Sequence, residues 1–330
     1  MIELFVLMAG FFVAWNIGAN NAANGVGVSV GGRILSYRQA IAIVAVFVLL
    51  GAFLEGWKNM KTVGEGIIMP GTTGVNPLSS VPYAALASLI AAGIWMLTST
   101  ELGLPMSVSL STVGAVIGAG LLITFTQPGL GVSFQYNKLV AIVISWILNP
   151  LIATVIAFVV FKIVSASLRR IKNLLVFNQV LTFLIFIASA YSAYALGAND
   201  VGASAGAVYA FFGGSPQLIA ILGAVALAVG AITFSRRVML TIGSGITKIE
   251  PLVAFAAQLG AAITVWSFVQ FGMPVSTSEA IIGGIAGAGL FKGASAISRK
   301  RLGQIGAALV LAPVATCILS FGIGWLLLKL

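Results

Sequence analysis

The chain has 330 residues, of which 60% are hydrophobic and 7% are charged, and its mean hydropathy is +1.12. Soluble domains are about 45–50% apolar and about 25% charged, so this chain has too few polar residues to cover a water-facing surface. The composition predicts an all-α polytopic membrane protein in contact with a lipid bilayer. It excludes a disordered protein, a nucleic-acid-binding module and a disulfide-stapled secreted domain. The single Cys317 can form no internal disulfide, and the absence of His removes the commonest metal ligand and proton shuttle.

Ten apolar segments follow one another along the chain, and no soluble domain separates them. The first segment has no basic leader and runs into a polar cluster, so we interpret it as a retained span rather than a cleaved signal. The segments are approximately 2–18, 39–55, 82–99, 105–124, 139–165, 175–196, 217–234, 251–269, 274–291 and 303–328. A basic stretch containing Arg169, Arg170 and Lys172 divides them into two groups of five.

The two groups of segments repeat each other. Gly18-Ala-Asn20 matches Gly197-Ala-Asn199 at an offset of 179 residues, and Gly103–Ser109 matches Gly272–Ser278 at an offset of 169. The offset falls because the first half carries an extra Gly/Pro-rich stretch near residues 71–82. An ordered series of matches with one insertion indicates a duplication. We therefore predict a first membrane repeat at 1–166, a basic cytoplasmic linker at 167–174 and a second membrane repeat at 175–330.

The distribution of the Lys and Arg residues, which give the chain its net charge of +10, predicts the topology of these repeats. Five crossings per repeat place the second copy upside down, and with ten crossings one side collects twelve Lys and Arg residues against four on the other. The positive side is expected to be cytoplasmic, which puts both termini outside. If 105–124 and 274–291 are re-entrant hairpins, the repeats are parallel and the charge split is the same. Equivalent loops favour inversion, because Arg33 and Arg38 have no basic counterpart near Phe211–Ser215.

Polar residues interrupt the apolar runs at equivalent places in the two halves, Asn16–Asn24 and Gly197–Ser204. Asn, Asp and Gly are poor helix formers, so we expect broken helices there, whose carbonyl and side-chain oxygens suit a small cation such as Na⁺. Hydrogen bonding between packed helices is the alternative, although the repetition favours a site. The predicted cation-binding residues are Asn20, Asn21, Asn24, Asn199 and Asp200, and the predicted Na⁺ ligands among them are Asn20, Asn199 and Asp200.

A second pair of interruptions follows Pro105 and Pro274, and both are rich in Ser and Thr. Pro suits the first turn of a helix, and hydroxyls with free N–H groups at a helix N-terminus can bind a tetrahedral oxyanion. No Lys or Arg lies in the apolar segments near these clusters, so co-bound cations would have to balance the anion. N-capping by Ser and Thr is the structural alternative. The predicted anion-binding residues are Ser107, Ser109, Ser111, Ser276, Thr277 and Ser278.

Together these elements resemble the inorganic phosphate transporters of the PiT type, over nearly the whole chain. That family carries a Gly-Ala-Asn-Asp-x-x-Asn element once per half and a Pro-x-Ser-Thr-Thr/Ser element before a Gly-rich helix. The matching stretches are Gly18–Asn24, Gly197–Ala203, Pro105–Ser109, Pro274–Ser278 and Phe255–Thr264. The resemblance implies a homodimeric, cation-coupled importer of inorganic phosphate in the cell membrane. It also implies inverted repeats, a central anion site built from both Ser/Thr elements, and Na⁺ held by the Asn/Asp elements.

Several positions depart from that family's pattern. Asn21 stands where the first Asp is expected and Ala203 where the second Asn is expected, so each half keeps a different part of the cation site. Val108 replaces a Thr hydroxyl, and Leu110 and Glu279 stand where many phosphate carriers have His. The resemblance therefore implies the fold more firmly than it implies the anion or the coupling ion.

The last of these departures leaves an alternative substrate open. The Ser276-Thr-Ser-Glu279 sequence resembles sulfate permeases of the same superfamily, so a sulfate permease coupled to H⁺ or Na⁺ is the alternative to Na⁺-coupled phosphate symport. With few carboxylates, a proton on Asp200 or Glu279 could replace a Na⁺ ion. Glu279, and Glu101 just before the first anion element, are the predicted coupling or gating residues.

An intramembrane hydrolase and an anion channel are the alternatives to a transporter. A hydrolase needs a catalytic pair, and with no His, one Asp and no Lys near either serine cluster none can be assembled. A channel would carry the anion without a cation gradient. The sequence predicts a non-enzymatic secondary active transporter with no cofactor, which uses Na⁺, or alternatively H⁺, as its coupling ion.

Overall fold

The computed structural model describes residues 1–31, 34–71, 74–101, 107–245, 250–290 and 299–329. Most of them are helical. The helices are α1 (Ile2–Gly31), α2 (Tyr37–Glu65), α3 (Pro77–Ser80), α4 (Pro82–Glu101), α5 (Val108–Thr126), α6 (Tyr136–Leu168), α7 (Leu174–Leu196), α8 (Gly202–Phe212), α9 (Pro216–Gly245), α10 (Pro251–Gln270), α11 (Thr277–Leu290) and α12 (Arg299–Leu327). A 3₁₀ turn occupies Pro128–Leu130. Two short strands, β1 (Ile68–Met69) and β2 (Ser133–Phe134), pair antiparallel.

Nine helical stretches within the described residues are long and apolar enough to cross a membrane. The predicted all-α polytopic fold class is therefore confirmed. Within the predicted segment 274–291, the described part of helix α11 comprises 14 residues and is about 21 Å long, against a bilayer core of about 30 Å. Pro274 precedes this helix instead of occupying its first turn, so that expectation was wrong; Pro105 lies outside the described residues.

The first polar cluster does not break its helix. Helix α1 runs without interruption through Asn16–Asn24, so the predicted break there is wrong. At the equivalent place in the second half, a single π-helical turn, Gly197–Val201, joins α7 to α8. Asn21 bonds to Asp200 and Asn24 to Ser278, outside α1, whereas Asn16 donates to the carbonyl oxygen of Phe12 one turn earlier in the same helix.

Close helix crossings occur in equivalent pairs. A methyl group added at Gly18 of α1 would lie 1.8 Å from the carbonyl oxygen of Leu227 in α9. One added at Gly197 would lie 2.2 Å from the carbonyl oxygen of Val48 in α2. The two glycines, Gly18 and Gly197, are 179 residues apart in the sequence. The two residues whose carbonyl oxygens they face, Val48 and Leu227, are separated by the same 179 residues. The helices of the two halves thus interleave in a reciprocal way, and only glycine lets the backbones approach so closely.

Helix α1 runs antiparallel to the α7–α8 stretch, and Gly18–Asn20 of α1 matches Gly197–Asn199, which follows α7. Along α1, Gly10 lies against Val208, Asn21 bonds to Asp200, and Ser29 bonds to Ser189. The partner's residue number falls as the number in α1 rises. Equivalent helices therefore point in opposite directions, and their polar clusters meet near the middle of both.

Candidate ion and anion site

A buried carboxylate lies where the two Asn/Asp clusters meet. Asp200, on the π-helical turn, is 1% exposed and accepts hydrogen bonds from three side chains. Asn21 Nδ2 donates to Oδ2 at 2.9 Å, Asn199 Nδ2 donates to Oδ1 at 2.7 Å, and Thr277 Oγ1 donates to Oδ2 at 3.4 Å. Asn21 Oδ1 is buried without a partner among the described residues. Since π-helical turns often occur at functional sites, this turn marks a candidate site.

Asn199 connects the carboxylate to an extended segment, residues 273–276, that leads into α11. Its amide nitrogen donates to Val275 O at 2.6 Å, and its Oδ1 accepts from Val275 N at 3.1 Å. Asn59 of α2 also donates to Asn199 Oδ1, at 3.0 Å. Asn199 thereby satisfies both backbone groups of Val275, as a neighbouring strand would, in a place where water cannot.

Helix α10 ends at Gln270, and the extended segment begins after Gly272, whose φ of 62° favours glycine. Side chains from other helices then satisfy its carbonyl groups one by one. Trp146 Nε1 donates to Pro274 O at 2.9 Å and Asn149 Nδ2 donates to Ser276 O at 2.8 Å, both from α6. A non-helical backbone is tolerated at this depth because protein groups replace the absent helical hydrogen bonds.

The two Ser/Thr elements come together at this segment. Ser109 Oγ of α5 donates to Val275 O at 2.7 Å and lies 3.4 Å from Asn199 Nδ2. Ser107 and Ser276 cap α5 and α11, since their hydroxyls accept from the N–H groups three residues later. Helix N-capping, the structural alternative to anion binding, is therefore what Ser107 and Ser276 do in this structure. Ser111 Oγ donates back to Ser107 O at 2.6 Å within its own helix.

The remaining predicted residues lie on the α1 side of the cluster or at its edge. Asn24 Nδ2 donates to Ser278 Oγ at 2.8 Å, which ties α1 to α11. Asn20 is half-buried on α1, one residue before Asn21. Glu279 is buried at the start of α11. Glu101 ends α4, and its side chain lies outside the described part of the structure.

The charge of the cluster is negative as far as the structure describes it. Lys58 of α2 is the neighbour of Asn59 in the sequence, but it does not contact the described part of the cluster. Its ammonium donates to Gln270 and lies 3.8 Å from Glu55. A narrow cavity borders the cluster, lined by Asn24, Ser192 and Thr277 with apolar side chains, and has room for about one water molecule. A polyatomic anion does not fit into this cavity as it stands.

Comparison with known protein families identifies the family of the chain that carries this cluster. The model of the phosphate transporter family matches residues 17–177 and again residues 169–320, so that the two regions together cover most of the chain. The chain belongs to the phosphate transporter family. The resemblance drawn from Gly18–Asn24 and Pro274–Ser278 is thus confirmed, and the protein is a multi-pass membrane phosphate transporter.

Individual relatives of this phosphate transporter match over almost their full length. The protein named "Putative phosphate permease" of Methanocaldococcus jannaschii is 33% identical over 319 residues, which cover 96% of this chain and 94% of that protein. One with the same name from Thermococcus kodakarensis is 28% identical and covers 96% of both chains. A solved structure called "The sodium-dependent phosphate transporter" superposes with a TM-score of 0.85 at 25% identity, over 100% of this chain and 99% of that one.

Sequence reasoning missed several buried amides of this phosphate transporter. Asn59 and Asn149 are 0% exposed and bond directly to the cluster. Gln258, noted only as part of the family resemblance, donates to Gly25 O and accepts from Ser29, which also bonds to Ser189. The available signal was the same for all of them, an isolated amide inside an otherwise apolar span.

Proposed function

We propose that the protein is a secondary active symporter that couples the entry of inorganic phosphate to Na⁺. The observation that carries this proposal is the hydrogen bond from Thr277, in the second Ser/Thr element, to the carboxylate of Asp200. Through it a group proposed to bind the anion contacts the group proposed to bind the cation. Occupancy of one site can then alter affinity at the other, which is what coupled transport requires.

The oxygen atoms around Asp200 fit Na⁺. A small hard cation prefers carboxylate, amide and carbonyl oxygens, and Asn21 Oδ1 is a buried oxygen that lacks a partner among the described residues. Asp200, with Asn20, Asn21 and Asn199, would hold the ion, and Asn24 would lie at its edge. When bound, the ion supplies positive charge that offsets the buried carboxylate and the incoming anion. The superposable structure is that of a sodium-dependent transporter, which supports the same assignment.

The proposed anion site consists of the two Ser/Thr elements. Ser107, Ser109 and Ser111 belong to α5 and the residue before it, and Ser276, Thr277 and Ser278 belong to α11 and the residue before it. The helix N-termini provide positive dipole ends, and the hydroxyls provide donors without adding a fixed charge. Phosphate can exchange its water shell for these groups, provided that a cation offsets its charge nearby.

Uptake by the purified protein in proteoliposomes tests this function. We expect labelled phosphate to accumulate when Na⁺ is high outside, and unlabelled sulfate to compete poorly. The variant D200N should lose the Na⁺-driven part, whereas E3Q, which makes the same kind of change at the exposed Glu3, should retain it. Stronger competition by sulfate would make the protein a sulfate permease. Uptake that needs no cation gradient would make it a channel, and conversion of the substrate without transport would make it an enzyme.

The membrane arrangement belongs to the same proposal. We place two inverted repeats, residues 1–166 and 175–330, on either side of a cytoplasmic linker at 167–174, with both termini outside. The antiparallel course of α1 and the α7–α8 stretch supports inversion, and the distribution of Lys and Arg supports the orientation. The family resemblance supports a homodimer. Cysteine accessibility at the termini and cross-linking in intact membranes test these points.

A further inference from the structure

Glu279 is a buried carboxyl group that the preceding mechanism does not use. It is 1% exposed, and neither carboxyl oxygen has a hydrogen-bond partner among the described residues. Ser276-x-x-Glu279 has the sequence of a capping box, but only half of the box forms, the bond from Glu279 N to Ser276 Oγ at 3.3 Å. The Ser276 hydroxyl lies beside the carboxyl group and interacts with it, but outside the ordinary distance and angle limits of a hydrogen bond. Capping therefore does not account for this acidic residue.

The face of α11 that carries Glu279 packs on α6. Gly283 lies one turn further along the same face, and a methyl group added there would lie 2.2 Å from Pro150 O. Asn149, just before Pro150, is 0% exposed; its Nδ2 donates to Ser276 O, and its Oδ1 is left without a partner. The α6–α11 interface thus contains three buried acceptor oxygens, two from Glu279 and one from Asn149, that accept no hydrogen bond of ordinary geometry from a described residue.

The helices around α11 provide no described charge that would neutralise Glu279. Those packed against it are α6, α10 and α1. Helix α6 carries Tyr136, Lys138 and Lys162, but the two lysines lie eleven residues before and thirteen after Asn149, about 16 and 20 Å along the helix. Helix α10 has no charged residue within its bounds, and α1 has only Glu3. The other carboxyl group connected to this region is Asp200, through Thr277.

We propose that Glu279 is a proton-binding site whose proton travels with the anion. An ionised carboxylate buried without a partner is strongly unfavourable, and one bound proton both removes the charge and supplies a donor for the acceptors around it. A phosphate anion at Ser276–Ser278 repels ionised Glu279, so anion binding favours the protonated form, and by linkage the protonated form favours the anion. The proposal rests on the proposed function, because it needs the anion to bind at this element. The transporter then carries H⁺ in addition to Na⁺.

A proton gradient applied together with a fixed Na⁺ gradient tests this. In proteoliposomes that are more alkaline inside by one pH unit, wild-type protein should raise its phosphate accumulation ratio by about tenfold for each coupled proton. E279Q copies the protonated carboxyl group, so it should keep Na⁺-driven uptake but lose the response to the pH gradient. Wild type and E279Q are exposed to the same phosphate species, so titration of the substrate cannot cause a difference between their responses to the pH gradient. E3Q is the matched control and should respond as wild type does.

The results separate this proposal from the one on which it rests. An E279Q protein that responds to the pH gradient as wild type does, or a wild-type protein without any response, overturns the proton site and leaves Na⁺-coupled symport intact. The lack of Na⁺-driven phosphate accumulation in wild type overturns the symport itself. If E279Q yields no folded protein, E279D and E279N form the test pair, because they have the same length and differ in whether they titrate. E279D should then respond to the gradient and E279N should not.

Discussion

Asn21 and Asp200 are 179 residues apart, the offset that also aligns Gly18 with Gly197, and they are hydrogen-bonded to each other at 2.9 Å. Since α1 and the α7–α8 stretch run antiparallel, these two residues meet near the middle of both. Position 21 contributes an amide and position 200 a carboxyl group, so the pair carries at most one negative charge, where two aspartates would carry up to two. This asymmetry limits the positive charge that the site needs.

A second carboxylate at position 21 should increase the demand for cations. In N21D, two carboxylates about 3 Å apart could not both ionise unless a cation lay between them. We expect phosphate uptake to fall at limiting Na⁺ and to depend more steeply on Na⁺ concentration than in wild type, as measured by initial rates across a Na⁺ titration. N21A removes the amide without adding charge and should weaken uptake without steepening this dependence. Identical Na⁺ dependence in the two variants would contradict the expectation.

Ser109 and Ser111 are neighbouring serines of α5 with different partners. The Ser109 hydroxyl bonds to Val275 O in the other Ser/Thr element, whereas the Ser111 hydroxyl bonds to Ser107 O in its own helix. S109A should therefore destabilise the protein by about 1 kcal/mol and weaken phosphate binding, because it separates the two elements. S111A leaves that connection intact and should have the smaller effect on apparent affinity. Thermal unfolding and uptake kinetics of both variants check this order, and equal effects would refute it.

Asn199 should matter more for stability than Asn59. Without the Asn199 side chain, the backbone N–H of Val275 loses its described side-chain acceptor. Each buried polar group left unsatisfied lowers the free energy of unfolding by about 1–3 kcal/mol. Removing Asn59 takes away one donor to Asn199 Oδ1, and Val275 N still donates to that oxygen. N199A should lower the midpoint of thermal unfolding in detergent by more than N59A does. The reverse order would show that Asn199 does not hold the extended segment.

The glycine crossings predict two equally severe substitutions. G18A and G197A each place a methyl group against a backbone carbonyl, at 1.8 and 2.2 Å, and the backbone cannot yield as a flexible side chain could. We expect both variants to give little monodisperse protein in size-exclusion chromatography. Gly322 has no atom within 4 Å of the equivalent methyl group, so G322A is the control and should behave as wild type. A well-behaved G18A would contradict the reciprocal packing.

Local features of the chain account for the predictions that succeeded. Composition and long apolar runs predicted the membrane spans because each helix must pair its own backbone groups in lipid. The segment 251–269, for example, matches α10 to within one residue at each end. The segment 39–55 matches the start of α2 to within two residues, but α2 extends further, to Glu65. The motifs at Gly18–Asn24 and Pro274–Ser278 identified the family because they recur in each half.

The errors and omissions concern what side chains bond to over long sequence separations. Asn and Gly in α1 predicted a broken helix, yet the helix is continuous because Asn21 and Asn24 bond to Asp200 and Ser278. Pro274 was expected to begin a helix, but it lies in an extended segment held by Trp146 and Asn199. Helix propensity describes an isolated segment, and such tertiary hydrogen bonds override it.

The sequence by itself determined that this is a helical membrane protein of the phosphate transporter family, because hydropathy and motif spacing can be read directly from the chain. Only the tertiary structure decided that Asn21 meets Asp200, that Ser109 reaches Val275, and that Asn59 and Asn149 join the cluster. These contacts depend on which helix faces which, and the close glycine crossings that fix those faces arise only when distant helices pack together.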